Sequence, residues 1–185
     1  KEVVEYAKLK TKNYPPAGRA GKLSTSVECE LGFLRGDSRV KKKKIEVKPE
    51  DYTNPDESAE FAAKTGVNRL AVAVGNVHGI TLDEPALDIE RIRKIRQAVP
   101  ENVVLVLHAG SGIPDEVIRA AIRAGISNIH ISTELRAEFR EELEKSLHKK
   151  GETEYAPYKI MGPVVEAIKQ KAIEKIKLFG SINRV

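Results

Sequence analysis

One cysteine, one methionine, no tryptophan and 5% aromatic residues are all that this 185-residue chain contains of the sparser side chains. With Cys29 alone there is no disulfide framework, and a reducing, cytoplasmic compartment is the expectation. No apolar run approaches the roughly 20 residues needed to cross a bilayer, so no membrane partner is expected. The first residues are charged and lack the apolar stretch of a signal peptide; Lys1 in place of Met is expected to mark a start other than the natural one. The net charge is a modest +5, and Lys41 to Lys44 supply much of it. No aromatic residue interleaves with that lysine run, so it reads as a solvated loop, with an anion-attracting role as the alternative and no nucleic-acid partner.

What is present is a rhythm. At 41% hydrophobic and 32% charged residues the composition is that of a soluble globular protein, and residues 1–185 are read as one domain. Residues 1–10 fit a short amphipathic helix, and prolines, glycines and serines punctuate a loop over 11–26. VECEL at 27–31 alternates like a strand, and the polar, basic stretch 33–52 reads as a long mobile loop. Strands are then expected at 69–76, 103–108 and 128–132. Helices are expected at 55–65, 88–99, 114–125, 134–150 and 163–179, with Asn54 as an N-cap and Gly66 and Gly125 as stops. Apolar strands alternating with helices indicate a parallel sheet covered on both faces, in a doubly wound α/β fold or in half of an eight-stranded (β/α) barrel.

In such folds chemistry gathers where strands end, and those ends read GNVHG, LHAGSG and HIST. His78 and His108 lie one strand–helix–strand unit apart, so their imidazoles can face one metal ion or be two unrelated polar residues. Gly110, Ser111 and Gly112 precede one helix, and Ser132 and Thr133 precede the next. Exposed N–H groups at such junctions receive phosphate, while plain turn chemistry is the other reading. Glu28 and Glu30 share a strand face, where they reach a metal, transfer protons or simply meet solvent.

In order along the chain, VECELG at 27–32, YTNP at 52–55, TGVNRLAVAVGNVHG at 65–79, VLHAGSGIP at 106–114, STELR at 132–136 and LFGS at 178–181 resemble the class II, zinc-dependent fructose-bisphosphate aldolases. The resemblance covers nearly all of the chain after about residue 27. It implies a (β/α)8 TIM-barrel type fold, of which this chain holds strands five to eight and the closing helices. The first four strands, with the proton-transfer aspartate and one zinc histidine, are implied to be missing, so the catalytic acid is unknown here. By motif, His78 and His108 are implied as zinc ligands and Glu30 as a glutamate near the metal. Gly79, Gly110 and Ser111 match positions that bind a monovalent cation or substrate phosphate, and Thr133 matches a phosphate-binding threonine. Ala109 stands where the family has glycine, His130 where it has a substrate-binding asparagine, and Ser132 where it has aspartate. Asp37 lies in the loop that normally carries a catalytic glutamate. His130 is also a candidate third metal ligand, because it occupies a strand next to that of His108.

The implied function is aldol cleavage and condensation of a ketose bisphosphate such as fructose 1,6-bisphosphate, a lyase reaction of glycolysis, with Zn²⁺ as cofactor. The partners implied are a sugar-phosphate substrate and an N-terminal half-barrel or a second copy, since an open half-barrel leaves strand edges unpaired. The rival reading is a non-catalytic half-barrel that binds metal or sugar phosphate, or an assembly subunit.

Overall fold

The computed structural model describes residues 26–40, 45–81, 86–148 and 154–183. The helix expected at 1–10, all but the last residue of the loop at 11–26, and the lysines 41–44 lie outside them. The elements are β1 (Glu28–Leu31), β2 (Gly36–Val40), α1 (Pro55–Thr65), β3 (Arg69–Val72), β4 (His78–Ile80), α2 (Ile89–Ala98), β5 (Val104–Leu107), α3 (Asp115–Ala124), β6 (Ile126–Ile129), α4 (Thr133–Leu147) and α5 (Pro157–Leu178).

Local chemistry sets several of these boundaries. The Asn54 side chain accepts hydrogen bonds from the backbone of Asp56 and Glu57, Pro55 opens α1, and Gly66 closes it in the left-handed region at φ 66°. Asp88 caps α2 by accepting from the Arg91 N–H. The sequence reading began the last helix at 163, but Pro157 takes its first turn and Pro163 lies inside it. An internal proline lacks the N–H that would continue the ladder, which hides the upstream turn from a propensity argument.

Strands β1, β3, β5 and β6 form a four-stranded sheet in that order, parallel at every pairing. The order runs in one direction, without the reversal that defines a doubly wound sheet. Glu30, Ala71, Val106 and Asn128 stand in one line across it. Side chains alternate, so the sheet has two distinct faces. One carries Cys29, Leu31, Leu70, Val72, Leu105 and Leu107, which join Phe61, Ile92, Ile95 and Ile118 of α1, α2 and α3 in the core. Leu70, Leu105, Leu107, Ile92 and Ile95 have no solvent exposure, and each contributes about 1.5–3 kcal/mol through burial. The other face carries Glu28, Glu30, Ala71, Val106 and Asn128. Burial on both faces is met in mid-sheet, where Ala71 and Val106 have no solvent exposure; α1, α2 and α3 cover the first face, and Glu28, Glu30 and Asn128 make the second more polar.

The stretch 33–52 also departs from the loop reading. It contains β2, which pairs in parallel with β4, Gly36 opposite His78 and Val40 opposite Ile80. Nothing in GDSRV alternates, and the strand exists because a partner 40 residues downstream supplies backbone groups. Gly79 makes this approach possible. Its φ is +99°, and a Cβ there would stand 2.3 Å from the Arg39 carbonyl oxygen.

Asp51 fastens the same stretch. Its carboxylate accepts from Arg35 Nε at 2.5 Å and Nη2 at 2.9 Å, and from the Lys48 N–H at 2.7 Å. The Arg35 hydrogen bonds hold the Asp51 carboxyl below the usual carboxylate range; burial opposes them and the Lys48 N–H assists. A depressed folded-state pKa contributes stability above the unfolded value of about 4, and that contribution is lost as pH falls through the lower folded value. Asp51→Asn is therefore expected to lower the melting temperature at pH 7 and to flatten its fall below about pH 4. Parallel acid-side profiles for the two proteins would contradict this.

Candidate active site

β5 and β6 end on histidines. His108 follows Leu107 and His130 follows Ile129, and their rings stack with centroids 4.7 Å apart and planes inclined by 25°. Two glutamates on the polar face of β1 reach them. Glu30 Oε2 lies 2.6 Å from His108 Nδ1, and Glu28 Oε1 lies 2.8 Å from His108 Nε2. The second Glu28 oxygen lies 3.8 Å from His130 Nε2. Period-two alternation puts both carboxylates on one side of β1, so the polar face of the sheet and this cluster are the same feature. Partial burial of His108 favours its neutral form, but the hydrogen bonds its ring donates to the carboxylates of Glu28 and Glu30, then their charges, outweigh it and raise its pKa above the ordinary histidine value. Burial and the Glu28 charge push the Cys29 thiol up as well, which makes it a packed side chain rather than a reactive thiolate.

Among the described residues, Glu28, His108 and His130 form the group whose ligand atoms lie within 4.8 Å of one another, close enough to serve one metal ion. His78, expected beside His108, is not in that group. The strand it was meant to close ends at Val72, and His78 opens β4 in the second sheet, where its N–H donates to the Arg35 carbonyl. Residues 73–77 are all buried, which is why their apolar sequence reads as a longer strand. The motif's asparagine has a role the sequence did not suggest. Buried Asn76 donates from Nδ2 to the His108 carbonyl at 2.9 Å and accepts the Val74 N–H at 2.8 Å. It thereby ties the end of β3 to the residue that carries the site.

The two strand-to-helix junctions meet. The Gly110 N–H donates to the His130 carbonyl, and the N–H groups of Ser132 and Glu134 point to Ser111 Oγ at 3.3 Å each. Ser111 and Thr133 are buried. The Gly112 N–H, a donor expected to meet phosphate, donates instead to Glu134 Oε1 at 2.7 Å. The other Glu134 oxygen pairs with Lys175 Nζ of α5 at 2.6 Å. Glu134 and Lys175 escaped the sequence reading; the available signal was an acidic residue in the first turn of α4.

Sequence comparison decides the family. The chain matches the family model for fructose-bisphosphate aldolase class-II over residues 10–184. It belongs to the class II fructose-bisphosphate aldolase family. The uncharacterized protein YdjI of Escherichia coli K12 is 41% identical over 160 residues, which are 86% of this chain and 53% of YdjI. The crystal structure of the YdjI aldolase superimposes with a TM-score of 0.76 at 35% identity, over 99% of this chain and 58% of that one. The fructose-bisphosphate aldolase of Campylobacter jejuni gives a TM-score of 0.72 at 18% identity, over 98% of this chain and 59% of that one, a likeness of fold. The aldolase chain described here spans about half the length of its curated relative.

As an aldolase-family chain it has a donor set that suits the family's metal. Imidazole nitrogens and a carboxylate oxygen are ligands zinc accepts, and a carboxylate on the other ring nitrogen, as Glu30 is on His108 Nδ1, is the kind of outer partner that would orient a metal-binding histidine. Within the LHAGSG segment, Ala109 adopts φ +56°. That is the left-handed region, which glycine enters without strain and alanine enters at a cost of about 1 kcal/mol. Ala109→Gly is expected to stabilise the fold by up to about 1 kcal/mol in urea unfolding. A loss of stability would show that Ala109 is not left-handed in solution.

Proposed function

We propose that this chain is the C-terminal half of a (β/α)8 barrel, a single domain supplying strands five to eight. In the complete enzyme it takes part in zinc-dependent aldol cleavage and condensation of a ketose bisphosphate such as fructose 1,6-bisphosphate, with dihydroxyacetone phosphate and glyceraldehyde 3-phosphate on the other side of the equilibrium. The observation that carries this reading is the convergence of His108 with Glu28 and Glu30 on the polar face of a parallel sheet whose order never reverses. Family membership and the YdjI aldolase structure support it.

When bound, zinc polarises a substrate carbonyl and stabilises the negative charge that develops beside it. The chain's own residues perform the remaining tasks. His108 is a ligand, and Glu30 fixes its tautomer through Nδ1. On their motifs, His78 is read as a further ligand and Gly79 as a contact for a monovalent cation or phosphate. Ala109, Gly110, Ser111, Ser132 and Thr133 are read as the phosphate grip at the N-termini of α3 and α4. Gripping the phosphate holds the reacting carbon beside the metal, which turns remote binding into orientation. On its motif, His130 is read as a substrate contact. The proton-transfer acid comes from the other half of the barrel.

Co-expression with the amino-terminal half of a class II aldolase tests the reading. The reconstituted pair is expected to release dihydroxyacetone phosphate from fructose 1,6-bisphosphate in a coupled assay, and His108→Ala is expected to abolish the release. A pair that assembles and stays inactive on every ketose phosphate offered would overturn it.

A further inference from the structure

The four-stranded sheet is curled. On a flat sheet, three spacings of about 4.8 Å would hold β1 and β6 about 14 Å apart. Yet Glu28 of β1 comes within 3.8 Å of His130, the residue after β6. The polar face is therefore the concave one. Among the described residues, neither outer strand pairs on its far side. The outer strands also leave apolar side chains half-buried, Cys29 and Leu31 on β1 and Ile129 on β6, whereas Leu70 and Leu105 between them are fully buried. A groove of about 380 Å³ runs beside β6, walled in part by Ile122, Ile126, Ile129 and Phe179. Unpaired strand edges with apolar flanks are a template for another chain.

The two edges differ in a way that selects their partner. On the concave face β1 carries Glu28 and Glu30, and β6 carries Asn128, with His130 just beyond. Pairing β1 with a second β1 would set carboxylates beside carboxylates, which is unfavourable. Pairing β6 with β1 sets an amide and an imidazole beside carboxylates, a match that His108 already makes with Glu28 and Glu30. From this we infer that, without an amino-terminal half, two copies of the chain close one eight-stranded barrel, β6 of each in parallel with β1 of the other. A two-fold axis along the barrel keeps all strands parallel and leaves no open edge. Eight strands enclose an interior that side chains can fill. The inference rests on the half-barrel reading above and on none of its catalytic part. The amino-terminal half uses the same two edges, so it and the second copy compete.

Size-exclusion chromatography with light scattering on the 185-residue chain tests this, with amide hydrogen exchange read by mass spectrometry as a second measurement. The expected mass is twice the 20.5 kDa of one chain. Exposed Ser127 lies on β6, and a lysine on an edge strand blocks pairing. Ser127→Lys is therefore expected to weaken self-association at least about tenfold, with far-UV circular dichroism confirming that the variant is folded. Exchange locates the interface. In the monomeric variant, residues 27–31 of the distant β1 edge should lose protection relative to the wild-type dimer. Residues 157–168 of α5, which expose Tyr158 and Val165, should exchange equally in both. A single-chain mass at every concentration would overturn the inference. So would wild-type self-association in Ser127→Lys, or a dimer that protects α5 and not β1. None of these outcomes bears on the proposed function, which the reconstituted pair decides separately.

Discussion

Assayed alone, the 185-residue chain is expected to cleave fructose 1,6-bisphosphate at least about 10²–10⁴-fold more slowly than a complete class II aldolase, the factor a positioned general acid–base group contributes. The described site holds no free group for that task. Glu28 and Glu30 both hydrogen-bond to His108. Asp37 lies on β2, 3.9 Å from Arg39, and β2 is engaged with β4 rather than with the sheet that carries the histidines. A coupled assay of dihydroxyacetone phosphate release, with a complete aldolase run in parallel, measures the difference. Turnover by the chain alone within tenfold of the complete enzyme would mean that the acid resides in these residues after all.

Glu134→Ala is expected to cost about 3 kcal/mol of folding stability, the lower end of the range for breaking a buried ion pair. The Glu134 and Lys175 side chains are 15% and 13% exposed, so alanine leaves an ammonium with little water around it. It also removes the acceptor of the Gly112 N–H. At about 2–4 °C per kcal/mol for a domain of this size, the melting temperature should fall by about 6–12 °C. Glu134→Gln keeps an acceptor for Gly112 and should fall between wild type and alanine. The same variant should bind inorganic phosphate more tightly than wild type, because a neutral side chain competes less well for the Gly112 donor. A melting temperature unchanged in Glu134→Ala would show that the pair joining α4 to α5 does not form in solution. That pair and Lys171–Glu138 align α4 and α5 antiparallel.

These two effects also mark where the sequence was readable and where it was not. Helix α1 could be bounded to the residue because its signals are local: Asn54 caps it, Pro55 opens it and Gly66 ends it. The parallel pairing of four strands followed from alternation with helices, but their order did not, since a doubly wound sheet and a half-barrel fit the alternation equally. The shared face of Glu28 and Glu30 followed from the period of a strand. Features set by distant backbone were illegible. β2 is a strand only because β4 lies beside it, and β6 starts at Ile126 rather than 128 where its register with β5 shifts beyond Leu105. The position of His78 at the start of β4, rather than at the end of β3, was hidden for the same reason. Buried residues 73–77 look like strand, yet they form the turn that carries the chain away from the sheet. Glu134 was overlooked because its partners, Gly112 and Lys175, are 22 and 41 residues away.

The central claim is that these residues form the metal and phosphate side of an aldolase, rather than a metal-binding or phosphate-binding module without chemistry. Exchange of the C3 hydrogen of dihydroxyacetone phosphate with deuterium oxide, followed by proton NMR, measures the first chemical step without any aldehyde. In the chain reconstituted with an amino-terminal aldolase half, exchange is expected to proceed, to stop when zinc is removed with a chelator, and to return when zinc is restored. It is expected to be absent in the His108→Ala pair. Zinc binding with no exchange in an assembled pair, or exchange that persists in His108→Ala, would contradict the account.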